Sequence, residues 1–552
     1  MKKILDNNLV LLIIVLIICI PVVAPFFKEG YFPTHDGEWA VVRLADMFRT
    51  LRDFQIPPRF SGALNFGYGY PLFNFAYPFP YYLGLLFYVG FHNFVLSIKT
   101  IFVASVFLSG IGMYLASNLL WRNRMAAVVS SVLYVYLPYR MVDLYVRGSI
   151  GESVAFALFP FIFYFSTKLF DTAFSRFSVV TLSILLGILV MTHNIMTILF
   201  LPVLLAFMIA RILREKRFDV VQSFFLCIVL GAGLSVFFWV PALLEKGNIL
   251  LSKIPIADRN LYFVDFKQLI FPSWGYGSPT GSDGFSYQLG PAHIAIIALI
   301  ILVLGFSFVK TKFMLTPHKF YSTTLLAIYL VCLVMLFSIT GVVWKTLPLL
   351  SEINYPWILL SQLGFITALS AGFLIGQGRY FKYAVIALCI VAVFLTLPYA
   401  KPKSFNNTPD QQYLTNEATT TSSSELMPLW VKEHPKSRYG EKVIVVSGNA
   451  SISNLEYSSK KISFKYDAVT DPVFRINTIY YPGWKAYLDN EKVGINYDNA
   501  QGVMEIQGSQ FRSRVTLVFE ETPLRLSLDI LSLATLLVIF FILMRPILQF
   551  KS

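Results

Sequence analysis

The run Thr34-His35-Asp36-Gly37-Glu38 sets two carboxylates two residues apart beside an imidazole. A carboxylate so placed can take the proton of a hydroxyl while that oxygen forms a new bond. An ordinary aspartate, with a pKa of about 3.9, is ionised at neutral pH and ready to do so. Asp36 is therefore the candidate general base, with Glu38 as its alternative or helper. Both also suit a structural task, Asp36 as the cap of a following helix and Glu38 at that helix's positive end, and the two roles are compatible. A second run, Tyr145-Val146-Arg147-Gly148-Ser149-Ile150-Gly151-Glu152, offers a cation. The planar fork of Arg147 matches phosphate oxygens. Gly148 and Gly151 allow close backbone approach, and a helix start follows, where anions are favoured. Arg147 is the first candidate for binding a donor phosphate, then Arg140 and Arg59. The local alternative is that Ser149-Ile150-Gly151-Glu152 is a capping box, with Arg147 paired to Asp143 or Glu152. His193, at the junction of two apolar stretches, can serve an acceptor, a metal or an interface. His35, Asp36 and Glu38 could together hold a divalent cation, although no spacing demands one, so the metal stays open. Tyr68 and Tyr70 stand in Gly67-Tyr68-Gly69-Tyr70-Pro71, and Trp274 and Tyr276 in Ser273-Trp274-Gly275-Tyr276-Gly277. These rings are candidates to stack on a sugar; they equally suit a bilayer interface.

The elements that must position these residues are mostly membrane helices. Hydrophobic residues make up 56% of the 552, and only 14% are charged, where soluble domains run near 25%. Apolar stretches long enough to span a bilayer recur at 9–27, 94–119, 125–139, 153–170, 177–192, 194–210, 219–241, 292–309, 321–339, 357–377, 380–398 and 523–544. About twelve spans put both termini on one side. The first lacks a small-x-small cleavage site and reads as retained. Short basic loops carry Arg122 and Arg124; Lys168 and Arg176; Arg211, Arg214, Lys216 and Arg217; Lys310, Lys312 and Lys319; and Arg379 and Lys382. With Lys2, Lys3, Arg545 and Lys551 they mark the cytoplasmic side. That pattern accounts for the net charge of +14 without nucleic acid and leaves a secondary role in attracting anionic headgroups. The longer loops 28–93, 140–152, 242–291, 340–356 and 399–522 then lie outside. In the first, Val41, Leu44, Ala45, Phe48 and Leu51 follow helical spacing, which predicts an amphipathic helix on the membrane surface. The loop 242–291, with its glycines and rings, reads as a mobile lid or as part of an interfacial belt. Residues 1–400 form the membrane domain, 401–522 an exoplasmic domain, and 523–552 a last helix with a cytoplasmic tail. Asn406 to Ser424 reads as a linker. The alternating runs Lys442–Val446, Lys461–Tyr466, Phe474–Tyr480 and Val515–Phe519, with a turn at Asp489-Asn490, predict an antiparallel β-sandwich with Trp484 in its core. The four cysteines all sit in apolar segments, so no disulfide framework or metal-cysteine site is expected.

A span, an acidic pair outside it, a surface helix and an aromatic loop, in that order, resemble the GT-C superfamily of polytopic glycosyltransferases. The text His35-Asp36-Gly37-Glu38, Pro57-Pro58-Arg59, Gly67-Tyr68-Gly69-Tyr70-Pro71-Leu72-Phe73, Tyr145 to Glu152, Thr192-His193-Asn194 and Trp274-Gly275-Tyr276-Gly277 is more specific. It resembles the bacterial membrane family named 6-pyruvoyl-tetrahydropterin synthase-related. Tyr481-Pro482-Gly483-Trp484-Lys485-Ala486 resembles the C-terminal segment of the YfhO-like membrane proteins. The resemblance covers most of the chain, and the family name does not imply pterin chemistry. It implies a GT-C-like bundle in the plasma (inner) membrane. It also implies an inverting transfer of a sugar from a polyprenyl-phosphate donor to a glycan or lipid-linked acceptor of the cell envelope. Some members of the superfamily hold a divalent cation on loop carboxylates. No P-loop or Rossmann fingerprint is present, which disfavours a cytoplasmic nucleotide-sugar donor. Two other readings compete. A transporter or flippase for lipid-linked glycans predicts ionisable residues at mid-bilayer depth and broken helices. An assembly factor predicts that Asp36, Glu38 and Arg147 are dispensable.

Overall fold

The computed structural model describes residues 7–172, 174–270, 273–278, 284–311, 316–421 and 423–549. Lys2, Lys3, Lys312 and Lys551 lie outside these, as do the side chains of Lys310 and Arg545. Among the described residues nine helices are long and apolar enough to cross a membrane, or up to eleven if two bent pairs each count as one span. The apolar segments read from the sequence all fall on helices. The segment 177–192 lies on the helix Arg176–Thr192, which is 17 residues long. The helix ends carrying the short basic loops gather at one end of the bundle. Arg122, Arg124, Lys168 and Lys382 line one groove there, and Arg122, Arg211 and Arg214 line its neighbour.

The span Pro356–Ile375 is wholly buried at the centre of the bundle, as expected of a helix without charges and apolar on every side. Small residues on it let neighbours approach, and Trp121 donates its indole N–H to the Leu369 carbonyl at 2.7 Å. The helix Arg124–Val135 breaks ahead of Pro138 and resumes over Pro138–Arg147 after a 45° bend. Residues 140–146, expected in an outside loop, are buried. Their charges had masked an apolar set, Met141, Val142, Leu144, Tyr145 and Val146, that packs into the core.

A β-sheet domain lies late in the chain, its strands between Val443 and Phe519. Its strands are β1 (Val443–Ser447), β2 (Ala450–Tyr457), β3 (Lys461–Ala468), β4 (Val473–Ile479), β5 (Trp484–Leu488), β6 (Glu491–Val493), β7 (Val503–Gln507) and β8 (Arg514–Phe519). They pair antiparallel in two sheets, β1-β4-β7 and β2-β3-β8-β5-β6. Alternating burial along β3 and β8 turns one face inward, and Phe464 and Tyr466 of one sheet meet Phe474 of the other at 5.1 and 4.7 Å between rings. Trp484 is buried against Phe60 and Phe519.

The domain is bolted to the membrane part. Ile479 donates its N–H to the Tyr68 carbonyl at 2.9 Å, and Ser459 its N–H to Asp53 at 2.7 Å. Lys442 reaches the carbonyls of Gly67 and Asn477, both at 2.8 Å. Within the segment Asn406 to Ser424, whose composition reads as a linker, residues 406–421 form a strap across the helix Gly37–Arg52. Arg43 donates to the Thr420 carbonyl at 2.6 Å and Arg49 to that of Leu414 at 2.6 Å. The Asp410 carboxylate caps the N-terminus of Phe94–Trp121 through the N–H groups of Phe94 and Val95. The polar face of the amphipathic helix therefore meets protein where open solvent was expected.

Candidate active site

The first span ends in a single 3-10 turn, Ala24–Phe27, and the chain returns over the bundle to start the helix Gly37–Arg52 at Asp36. At this point the Thr34–Glu38 run meets the Arg147–Glu152 run edge to edge. His35 donates its N–H to the Val146 carbonyl at 3.1 Å, and Asp36 its N–H to the Arg147 carbonyl at 2.7 Å. Two glycines permit the approach. Gly148 sits at φ +62°, and a Cβ there would lie 2.2 Å from the Thr34 hydroxyl. A Cβ on Gly151 would lie 2.8 Å from the Tyr77 ring and 3.0 Å from that of His193.

The two capping roles read from the sequence are not taken up. Thr34 accepts the Gly37 N–H at 2.9 Å, and the Asp36 side chain makes no cap hydrogen bond. Its carboxylate stands free at the positive end of the helix, 57% exposed. Glu38 lies in the first turn, half-buried. Ser149 likewise makes no side-chain cap. Glu152 instead points into the protein, fully buried, where it pairs with Arg147 and accepts from the Tyr139 hydroxyl at 2.8 Å. His193 Nε2 lies 3.9 Å from Glu152, and its ring stacks on Tyr77.

Arg147 is thus held from three directions. Glu152 binds one nitrogen, the Trp357 ring lies 4.6 Å from the guanidinium carbon, and Nη2 faces Asp36 Oδ2 at 4.0 Å. That last distance is the outer limit of an ion pair, so both groups can still take other partners. On the far side His35 Nε2 lies 3.1 Å from the Tyr276 carbonyl, and Tyr276 donates its hydroxyl to Lys401 at 3.1 Å. Trp274 stacks on Tyr399 at 4.3 Å. The segment Trp274–Tyr276 therefore walls the site beside His35.

The other candidates stand elsewhere. Arg140 is buried in the bundle, over Phe156 and bonded to the Ser105 hydroxyl at 3.0 Å. Arg59 is buried at the root of the last helix, bridging Glu521 and Asp529 at 3.2 and 2.8 Å. Tyr68 is edge-on to Tyr439, and the Tyr70 hydroxyl meets Thr420 at 3.0 Å; both are buried. Glu152, read from the sequence as a capping residue or a partner of Arg147, is that partner; Tyr139 and Trp357 were not picked out for the site. Glu152 carried a signal in its spacing from Arg147; Trp357 comes from a distant span with none. Among the described residues no three or more His, Cys, Asp or Glu side chains are arranged to hold a metal ion.

A helical bundle of this kind, with a β domain carried ahead of its last span, defines a polytopic membrane protein. Residues 73–403, well over half of the chain, match the 6-pyruvoyl-tetrahydropterin synthase related domain, described as a membrane protein, and the chain belongs to that family. An uncharacterized protein of Lactococcus lactis subsp. cremoris (strain MG1363) is 23% identical over 310 residues, 54% of this chain and 49% of that one. The chain thus spans about half the length of the curated relative it matches. Similar solved structures include the oligosaccharyltransferase of Archaeoglobus fulgidus in its apo form (13% identity, TM-score 0.42, covering 76% of this chain and 60% of that one). Another is the arabinofuranosyltransferase AftD from Mycobacteria (14%, TM-score 0.46, 72% and 27%).

Proposed function

We propose that the chain is a glycosyltransferase of the plasma membrane, acting on the outer side, where the β domain stands and away from the basic grooves. It takes a sugar from a polyprenyl-phosphate donor and passes it, with inversion, to a glycan or lipid-linked acceptor. The observation that carries this reading is the exposed Asp36 carboxylate, engaged in no cap hydrogen bond, at the edge of ion-pair distance from the fixed Arg147 guanidinium. In the reaction the acceptor oxygen attacks the anomeric carbon from the face opposite the phosphate. Its proton passes to Asp36. The bond from the anomeric carbon to the phosphate oxygen breaks, and its electron pair leaves on the lipid phosphate, whose growing charge Arg147 stabilises. Glu152 neutralises the buried guanidinium and orients it, so Nη2 is the part left to meet the phosphate. Trp274 and Tyr276 wall the sugar. The test is turnover of a panel of radiolabelled polyprenyl-phosphate sugars by protein reconstituted in liposomes, with several acceptors supplied. Released lipid phosphate or labelled product supports the reading.

A second reading has its own support. Arg140, Asp143 and Glu152 are buried in the bundle on or beside a broken span, which is where a flippase for lipid-linked glycans keeps its charges. Donor lipids that bind and cross the bilayer without ever being turned over would favour it.

A further inference from the structure

Arg124 and Arg147 stand at opposite ends of one broken span, so the end of the bundle that holds Arg124 is remote from Asp36. There the ends of several spans leave an open groove of about 840 Å³. Arg122, Arg124, Lys168 and Lys382 line it, and among the described residues no carboxylate does. Positive loops on one side of a membrane protein are the rule, but that rule does not bring four cations into one hollow. A concavity walled by a single sign of charge concentrates counter-ions more than the same charges spread over a surface. The side chains are within reach of a ligand, Arg122 being 67% and Lys168 37% exposed. Asp171 stands outside the lining, 3.4 Å from Arg122 and 3.9 Å from Lys168. One exposed carboxylate at those distances holds both cations only weakly. Arg124 is placed by Asn8, whose side-chain oxygen accepts from its Nε at 2.8 Å.

The charges select an anion, and the surroundings select a lipid. The walls are the ends of membrane spans, at the level where phospholipid headgroups lie. On the helix Phe94–Trp121, Leu108, Leu115 and Leu119 follow one another seven and four residues apart, which stacks them on one face. Leu115 and Leu119 line the groove, and Leu108, deeper in the span, is 44% exposed. An apolar track thus leads from the cations toward the middle of the bilayer, as an acyl chain below a phosphate requires. A zwitterionic headgroup would bring its own ammonium among four cations. We propose that this groove binds an anionic phospholipid, with its phosphodiester on Arg122, Lys168 and Lys382 and an acyl chain along Leu119, Leu115 and Leu108.

The groove shares no residue with the transfer site, and no sugar donor is present in the test, so a negative result leaves the reading of Asp36 untouched. The full chain, purified in a non-ionic detergent, is titrated with phosphatidylglycerol, and bound lipid is counted by native mass spectrometry. Phosphatidylcholine and glycerol 3-phosphate are titrated in parallel. One phosphatidylglycerol should bind saturably, at least tenfold more tightly than either. Arg122→Gln and Lys382→Gln should each weaken it about fivefold or more while the melting temperature holds. Lys216 is exposed at the same end of the bundle but outside the groove, and Lys216→Gln should bind as the wild type does. Absence of a saturable adduct, or equal binding of phosphatidylcholine, would overturn the proposal. So would a loss in Lys216→Gln as large as that in Lys382→Gln, which would reduce the groove to a diffusely positive surface. Glycerol 3-phosphate binding as tightly as the lipid would overturn it too, because the apolar track would then contribute nothing.

Discussion

Arg147 meets Asp36 twice: its carbonyl accepts the Asp36 N–H at 2.7 Å, and its guanidinium Nη2 stands 4.0 Å from the Asp36 carboxylate. The first contact fixes the two runs in register. The second sets a fixed cation beside a carboxylate that caps nothing. Much of the local architecture serves to keep Arg147 in that pose.

Glu152 is the chief support, so its removal separates structure from chemistry. Glu152→Gln leaves a buried guanidinium without its counter-charge and should cost roughly 3–5 kcal/mol of stability. The double variant Arg147→Met, Glu152→Met removes both charges of the pair and should recover most of that loss while remaining inactive. Thermal unfolding in detergent alongside a turnover assay reads both.

The junction between the two runs depends on Gly148. Gly148→Ala forces a side chain into a left-handed backbone conformation and against Thr34. The expected cost is about 1–3 kcal/mol, with activity falling further than stability because Asp36 and Arg147 separate. Gly151→Ala should behave alike through Tyr77 and His193. Melting temperature and rate, compared for each variant, check this.

Arg59, a candidate for phosphate, is held by Glu521 and Asp529. Arg59→Ala should therefore loosen the β domain and last helix, with a loss of about 3–5 kcal/mol, and not raise the KM for donor selectively. Limited proteolysis between the β domain and the membrane part reports the loosening.

Lys442 gives a pH signature. Burial pushes its ammonium down to about 7, and as a neutral amine it has two N–H groups for the two carbonyls it meets. Below about pH 7 both folded and unfolded chains hold the proton, and the cost of burying the charge is fully present. Between 7 and the ordinary lysine value of 10.5 the unfolded chain holds more protons, so this residue's contribution to stability rises with pH. Denaturant midpoints measured across that window should climb in the wild type and flatten in Lys442→Met.

The sequence carried the architecture well where a single physical signal dominated. Apolar length located the spans, and period-two alternation located β1, β3, β4 and β8. It failed where two signals opposed each other. Residues 140–146 carry Arg140 and Asp143 and look like a loop, yet Met141, Leu144 and Val146 hold them in the core. Asn406 to Ser424 looks like a linker because Thr, Ser and Asn rarely build a core, yet Thr420, Leu414 and Asp410 within it tie down Arg43, Arg49 and the start of a span. Within the site, the motifs of the first loop and of residues 145–152 were visible as local text, and their meeting was not. The part played by Trp357 rests on tertiary packing alone.

Turnover of polyprenyl-phosphate sugars by wild type and Asp36→Asn, side by side in liposomes, tests the central claim most directly. The Asp36 side chain makes no cap hydrogen bond and is more than half exposed, so the variant should melt within about 0.5 kcal/mol of the wild type. Its rate should fall by roughly 10²–10⁴ with the base removed. A folded Asp36→Asn protein that turns over donor at the wild-type rate would contradict the account.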